Sequence, residues 1–300
     1  MTTTPWTNAP MEHHYHARPS ALAFMAQALL PRPRARLLAP WPNLHLHWHT
    51  LDASTTLQDA AQHLCATGAH PVAAVLLPQI LAFRLPMAWL THRACPIPLW
   101  RALQIRNHLQ LLHPITPDLD LDAQCSCVAV RQLDKGLEMD LCTRLLQRAR
   151  PVWQGTTTFY YRGVRAAAAQ PGQPAPPAPD VQAAPLVQRW IAPRAGGWQF
   201  GALTGDYNGL HWSDAYARAL GFAGACFHPQ RLVAQALAAL PQGLPGDCPQ
   251  TLELWIKGTV RYGAALQLRA TSDARGTAWA LHQGTDTRAA IVGRWYTTPL

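Results

Sequence analysis

The segment Asp206-Tyr207-Asn208-Gly209-Leu210-His211 places a carboxylate, a carboxamide and an imidazole close together in the chain. A carboxylate and an imidazole that hold the same water can remove one proton and deliver another, if both lie within hydrogen-bond reach of it. Asp206 and His211 are too far apart to be neighbours on one helix face, so they can converge only across an irregular turn. Gly205 and Gly209 permit such a bend. The segment therefore predicts an acid–base pair, although in isolation the same pattern is common as a structural Asx turn.

The residues around this segment predict the elements that must position it. Residues 190–191 and 198–200 favour short strands, and residues 204–206 favour a polar turn. Ser213 is a typical N-cap for a helix over 213–219. The pair His228-Pro229 opens an apolar helix over 232–240, because the fixed φ of proline suits a helix start.

The chain divides into two halves on either side of an Ala/Pro-rich stretch, residues 166–185, and each half runs from a strand through a helical region to several strands. In the first half, residues 70–91 predict one long buried helix despite two prolines. A central apolar helix wrapped by an antiparallel sheet is the hotdog plan, so two copies predict an α+β double hotdog that forms an internal pseudo-dimer. The predicted strands cover 123–130, 137–146 and 152–161 in the first half, and 252–256, 264–270, 279–282 and 290–296 in the second.

The resulting domain organisation has four parts. They are a flexible start over 1–19, a degenerate N-terminal hotdog over 20–164, an Ala/Pro-rich linker over 165–187, and a C-terminal hotdog over 188–300 that carries the active site.

The stretch from Phe200 to His211 resembles the motif F-A-x-x-S/T-G-D-x-N-P-x-H of the MaoC-like (R)-specific enoyl-CoA hydratases, and a histidine that opens a helix follows it in the family order. Residues 82–87 and 105–107 resemble the degenerate first hotdog of two-domain members, where no D-x-N-x-x-H occurs. The resemblance is to the double-hotdog members of this family.

This resemblance implies one active site per chain and a specific reaction. The expected activity is the reversible addition of water to a trans-2-enoyl-CoA, which gives an (R)-3-hydroxyacyl-CoA. Asp206 and His211 would activate one water, and Asn208 would orient a side chain or that water. The reaction needs no metal and no redox cofactor, and an acyl-CoA is the expected substrate.

The sequence departs from the family pattern at two positions near the substrate-binding residues that the resemblance implies. Gly209 replaces the usual proline, and Pro229 replaces the glycine of a usual His-Gly pair. Since proline has no N–H, a backbone donor for the thioester oxygen must come from elsewhere, and the amides of Gln230 and Arg231 are the candidates. The candidate substrate-binding residues are His228, Gln230, Arg231, Gly205 and Tyr207.

Two alternative functions stay open at this point. A hotdog acyl-CoA thioesterase would use a carboxylate to activate water against the carbonyl, but thioesterases of this fold generally lack the D-x-N-x-x-H arrangement. A non-catalytic acyl-CoA-binding subunit is also consistent with Gly209 and Pro229, although such a protein has no reason to keep Asp206, Asn208 and His211 together.

The composition and net charge of the chain limit the classes of partner that we expect. The formal net charge of +9 favours acidic partners, including the phosphates of an acyl-CoA. The arginines are scattered and no nucleic-acid motif occurs, so nucleic acid is not expected. No apolar run is long enough to span a bilayer. Seven cysteines without dense spacing favour a reducing compartment, and we expect a cytoplasmic protein that can form a homodimer of double hotdogs.

Two histidine clusters invite a metal interpretation. The first contains His13, His14 and His16, and the second, over 44–51, places three alternate histidines on one face of a predicted strand. No carboxylate lies at a recognisable ligand spacing, so the sequence favours solvent-facing histidines and predicts no metal site.

Overall fold

The computed structural model describes most of the chain. The described residues are 9–32, 37, 40–52, 74–116, 119–173, 175–241 and 249–298.

An extended sheet dominates the described part of the chain. Its strands are mostly long and antiparallel, as alternating buried and exposed residues predict. The strands of this sheet are β1 (Met11–Tyr15), β2 (Leu44–Leu51), β3 (Leu103–Leu111), β4 (Leu121–Leu133), β5 (Gly136–Gln147), β6 (Arg150–Arg162), β7 (Gln170–Pro171), β8 (Leu186–Ile191), β10 (Gln250–Ile256), β12 (Ala265–Ser272), β13 (Gly276–Gln283) and β14 (Ile291–Thr297). The short strands β9 (Cys226–Phe227) and β11 (Val260–Arg261) pair with each other in a separate two-stranded sheet.

The strand order establishes the internal repeat. The sheet runs β1-β2-β4-β5-β6-β3-β10-β14-β13-β12-β8. Each half contributes five main strands. From the edge of the sheet towards its centre, they are β2-β4-β5-β6-β3 in the first half and β8-β12-β13-β14-β10 in the second. Counted along the chain within its own half, each series is the first, third, fourth, fifth and second strand. Antiparallel pairing of β3 with β10 joins the halves into one sheet. The predicted α+β double hotdog is therefore confirmed.

Helices lie between the first two main strands of each half. In the first half, α2 (Leu77–Ala82) and α3 (Arg84–Thr91) are almost entirely buried, and α1 (Ala21–Ala28) precedes β2. In the second half, the helices are α4 (Gly197–Thr204), α5 (Asp214–Ala219) and α6 (Pro229–Ala239). Tryptophans buried in the core anchor these layers; the Trp89 indole donates to the Leu44 carbonyl (3.1 Å), and that of Trp153 donates to Val75 (2.9 Å).

The single helix predicted over 70–91 is two helices in the structure. Its residues 70–73 lie outside the described part, and the rest breaks at Phe83. Pro86 explains the break, because it has no N–H to donate to the Ala82 carbonyl and its ring crowds that oxygen. Pro78, in contrast, lies at the start of α2, where a proline is tolerated.

The strand predicted over 198–200 is wrong, because these residues lie in α4. Gly196 adopts a left-handed conformation (φ 77°), and its carbonyl accepts the Phe200 N–H (3.0 Å), which closes the first helical turn. Phe200 and Leu203 are then buried on one face. The short aromatic alternation was compatible with either element, and the helix buries Phe200 and Leu203.

The interval predicted as a flexible start contains a strand, since β1 pairs in parallel with β2. The Ala/Pro-rich stretch forms mainly irregular backbone with the short strand β7, and its Val181 packs against Val292 of the second half. Among the described residues, no helix is long and apolar enough to cross a membrane.

Candidate active site

The turn after α4 presents Asp206. Gly205 ends the helix with φ 81°, a conformation that a residue with a side chain rarely adopts, and its N–H donates to the Gly201 carbonyl (2.8 Å). A Cβ at Gly205 would lie 3.1 Å from the Phe24 ring, so the turn also packs closely against the first half. The Thr204 hydroxyl accepts the Asp206 N–H (3.2 Å). Helix end, glycine and hydroxyl together fix the position of the Asp206 backbone.

The two carboxylate oxygens of Asp206 have different partners. Oδ1 accepts the backbone N–H of Asn208 (3.1 Å), which is the Asx turn that the sequence pattern allows. Oδ2 lies 3.4 Å from Nε2 of His228 and 3.9 Å from Nε2 of His211. One oxygen therefore holds the turn, and the other faces two imidazoles.

Asn208 supports the site through the backbone. Its Oδ1 accepts the Leu210 N–H (3.1 Å) and caps the short 3-10 turn Gly209–His211, which carries His211. Gly209 is closely packed, because a Cβ at this position would lie 2.7 Å from the Tyr216 ring.

The hydrogen bonds of His211 define its tautomer. Nδ1 lies 3.0 Å from the carbonyl oxygen of Cys226, which can only accept, so Nδ1 carries the proton. In the neutral ring, Nε2 then has a free lone pair on the side of Asp206. The Tyr262 hydroxyl donates to the His211 backbone carbonyl (2.7 Å) and fixes the other end of the residue.

His228 has the opposite tautomer. Its Nδ1 accepts the N–H of Gln230 (3.3 Å) as the N-cap of α6, so the proton lies on Nε2 and is directed at Asp206. The ring is 2% exposed and packs against Phe200 (4.5 Å between centroids), with Phe83 of the first half at 6.2 Å. His228 is thus a buried donor to the carboxylate, whereas His211 is an acceptor.

Burial and neighbouring groups set the protonation states of Asp206 and His228. Burial lowers the pKa of His228 to about 4, against the opposing effect of its hydrogen bond to Asp206, so the ring is neutral near pH 7. Burial alone would raise the pKa of Asp206, but the His228 hydrogen bond and the charges of both histidines outweigh it and lower the pKa to about 2. Asp206 is therefore an anion beside a neutral donor.

The trio of Asp206, His211 and His228 is close enough to suggest a metal site, with ligand atoms within 4.8 Å of one another. His228 does not suit that role, because its Nδ1 already accepts a backbone N–H and a metal at Nε2 would displace the remaining ring proton. The arrangement suits proton transfer and water binding instead.

Acid should weaken the folded state through His228. Its folded pKa is lowered from about 6.5 to about 4, so the unfolded chain binds more protons in this window and stability falls as the pH decreases through it. The loss is up to about 3 kcal/mol, from about 1.4 kcal/mol per pKa unit. We expect urea unfolding midpoints to decrease more steeply from pH 6.5 to pH 4 in the wild type than in His228→Asn, which keeps an N-cap acceptor but does not titrate. Parallel pH profiles would contradict this role.

Arg84 connects the first half to the turn that presents Asp206. This arginine begins α3 and is 5% exposed. Its guanidinium donates to the carbonyls of Leu203 (3.1 Å) and Ala202, in the last turn of α4, and to that of Pro19 (2.6 Å). A cation is favourable at the carbonyl end of a helix. The first half therefore fixes the helix end from which Asp206 projects.

The predicted substrate-binding residues lie near the trio, but two of them do not act as expected. The N–H of Gln230 donates to His228, and the N–H of Arg231 donates to the His228 carbonyl (3.1 Å). Both backbone amides suggested as donors to a thioester oxygen are used within the first turn of α6, which corrects that prediction. Tyr207 packs against Trp198 with the two rings tilted (4.8 Å between centroids), and Gly205 forms the turn.

Sequence reasoning gave no role to Arg84, Tyr262 or the Cys226 carbonyl. A signal existed for Arg84, because it is the one charged residue in an otherwise apolar run over 70–91, apart from histidine, and a buried arginine requires hydrogen-bond acceptors. Tyr262 and Cys226 are brought to His211 by the pairing of β9 with β11, which no local pattern predicts.

Comparison with solved structures gives the fold. HtdX of Mycobacterium tuberculosis matches with a TM-score of 0.69 at 18% identity, over 85% of this chain and 100% of that one. A MaoC-like dehydratase from Phytophthora capsici matches with a TM-score of 0.69 at 16% identity, over 85% and 95%. A Mycobacterium tuberculosis protein described as having a double hotdog fold matches with a TM-score of 0.53 at 15% identity, over 83% and 92%. No protein-family model and no curated protein matches the sequence.

Proposed function

We propose that this protein is an acyl-CoA hydratase/dehydratase that adds water reversibly to a trans-2-enoyl-CoA and forms an (R)-3-hydroxyacyl-CoA. The main support is the pair of acceptors that face each other, Asp206 Oδ2 and His211 Nε2, 3.9 Å apart. A water that donates one hydrogen to each acceptor satisfies both. The double-hotdog fold, which the chain shares with a MaoC-like dehydratase, is consistent with this reaction.

The chemistry follows from the protonation states. The water oxygen attacks C3 of the enoyl group while His211 Nε2 takes the water proton, and negative charge develops on the thioester oxygen. The imidazolium of His211 then delivers a proton to C2 as the carbon–oxygen double bond of the thioester re-forms. Asp206, with its pKa lowered to about 2, is a poor proton carrier but stabilises the imidazolium and orients the water. The steps add OH to C3 and H to C2 with no net oxidation or reduction, so the proposed reaction uses no redox cofactor and calls for no metal.

The roles of the two histidines differ in this proposal. His211 exchanges protons with the substrate. His228 donates a hydrogen bond to Asp206 and keeps the carboxylate ionised and in place, which makes it a positioning residue.

The proposal also covers the partner, the cellular location and the oligomeric state. The net charge of +9 suits the phosphates of CoA, and cytoplasmic location and a homodimer of double hotdogs complete the proposal.

The test is a spectroscopic assay of the purified chain with trans-2-enoyl-CoA substrates of increasing length. We expect loss of the conjugated enoyl absorbance for at least one chain length, without release of free thiol, and an (R) product on chiral analysis. Thiol release with the double bond intact would identify a thioesterase. Tight acyl-CoA binding without turnover at any length would identify a non-catalytic binding subunit, and either result would overturn the proposal.

A further inference from the structure

The histidines near the N-terminus, which the proposed activity does not use, meet across two paired strands. β1 and β2 are parallel, and His14 lies beside His47 in their register. The two rings stack with centroids 4.7 Å apart and planes inclined by 12°. Parallel pairing therefore brings together two histidine clusters that are separate in the sequence, and it adds Glu12 on the same face.

One ligand atom from each of Glu12, His14 and His47 lies within 4.8 Å of the other two. His14 Nε2 and the Glu12 carboxylate are 3.5 Å apart. Ligand atoms around a tetrahedral ion with bonds of about 2.0–2.2 Å are separated by about 3.3–3.6 Å, so this pair already has the required spacing. Only a small side-chain adjustment would bring the third ligand in.

The neighbours of His14 orient its ring for a cation. His14 Nδ1 lies 3.0 Å from His49 Nε2, and His49 Nδ1 lies 3.4 Å from Asp122. In the tautomer that directs the His49 Nδ1 proton at Asp122, His49 Nε2 is an acceptor and His14 donates to it through Nδ1. This relay leaves the lone pair of His14 Nε2 directed at Glu12. A histidine ligand whose other nitrogen donates towards a carboxylate is the usual outer arrangement of a metal site.

A second observation points to a ligand. His47 Nε2 is buried and has no hydrogen-bond partner among the described residues. Burying a nitrogen without a hydrogen-bond partner costs free energy, and a cation bound together by Glu12, His14 and His47 would satisfy this nitrogen.

We propose that Glu12, His14 and His47 bind one divalent transition-metal ion, such as Zn²⁺, with water completing the coordination. Two imidazoles and one carboxylate form a ligand set that Zn²⁺ accepts. The ion would cross-link β1 to β2. Such a link would hold β1 in place, because the first four residues of β1 are exposed and the strand contributes little to the core.

The test uses the full, tag-free chain, stripped with a chelator and titrated with ZnSO4 against a chromophoric chelator. We expect the wild type to bind one Zn²⁺ that His14→Gln, His47→Gln and Glu12→Gln lose or bind at least about 100-fold more weakly. His45→Gln is the matched control, since His45 lies on the same strand but bonds to Asn43 (2.8 Å) and is outside the ligand group.

Two further readouts separate a built site from incidental binding by surface histidines. Asp122→Asn should weaken Zn²⁺ binding by about 10–100-fold, although Asp122 does not touch the ion. ZnSO4 should raise the Tm of the wild type and of His45→Gln, but not that of His14→Gln. Equal Zn²⁺ stoichiometry and affinity in the wild type, His14→Gln and His47→Gln would overturn the proposal. None of these readouts depends on hydratase activity.

Discussion

Asp206→Asn should lower kcat for enoyl-CoA hydration by about 10²–10⁴-fold, the range that a positioned acid–base group contributes. The amide keeps the oxygen that accepts the Asn208 N–H, so the turn can form. It removes the anion that stabilises the His211 imidazolium, and it offers one acceptor fewer to the water. We expect the loss mainly in kcat rather than in KM, because the interaction strengthens as the imidazolium forms.

The matched control is Asp180→Asn. Asp180 is exposed, and its Oδ1 accepts the N–H of Gln182 (3.1 Å) in the same local geometry as the Asp206 turn, without a histidine in hydrogen-bond contact. Its substitution should leave kcat unchanged. His211→Asn can keep the donor to the Cys226 carbonyl while it removes the Nε2 lone pair, and it should lose activity to a similar extent. Turnover at the wild-type rate in Asp206→Asn or His211→Asn would contradict the proposed proton transfers.

Short-range chemistry made part of this site predictable. Asp206, Asn208 and His211 lie within one turn, so residue types and two glycines indicated that they could converge, whereas their roles were implied by the resemblance to the hydratase motif. The starts of two helices were also predictable from local sequence. Ser213 caps α5, and the pair His228-Pro229 opens α6. The repeat was readable because each half must bury its own central helix under a sheet.

Long-range contacts were not predictable in the same way. The tautomers of His211 and His228 depend on the Cys226 carbonyl and the Gln230 amide, and the first of these comes from a separate strand pair. The helix over Gly197–Thr204 formed where alternation suggested a strand, and its start at the left-handed Gly196 had no signature in that alternation. The parallel pairing of β1 with β2 also has no local signature, so Glu12 and His47 did not appear as neighbours.

These contacts also show why the two halves depend on each other. Phe24 packs on Gly205, Phe83 packs near His228, and Arg84 holds the end of α4. Each contact joins a first-half side chain to an element that presents Asp206 or His228. The degenerate half thus contributes to the site without supplying a reacting residue.

Arg84→Met should therefore reduce both stability and turnover. The substitution keeps much of the apolar stem but removes the buried guanidinium that donates to the carbonyls of Pro19, Ala202 and Leu203. Hydrogen bonds from a charged group contribute about 1.5–3 kcal/mol, and relief of the buried charge offsets part of the loss, so we expect about 2 kcal/mol in urea unfolding. A carboxylate displaced by a fraction of an ångström can cost about 10-fold or more in kcat, because the acid–base groups need a defined geometry.

Arg18→Met separates this clamp from a general loss of charge. Arg18 donates to the same Leu203 carbonyl (3.0 Å) but is exposed, so water can replace it. We expect it to cost less than about 1 kcal/mol and to leave kcat nearly unchanged. Equal effects of the two substitutions would show that burial of Arg84 does not matter. A stability loss in Arg84→Met with unchanged kcat would show that the arginine stabilises the fold but does not position Asp206.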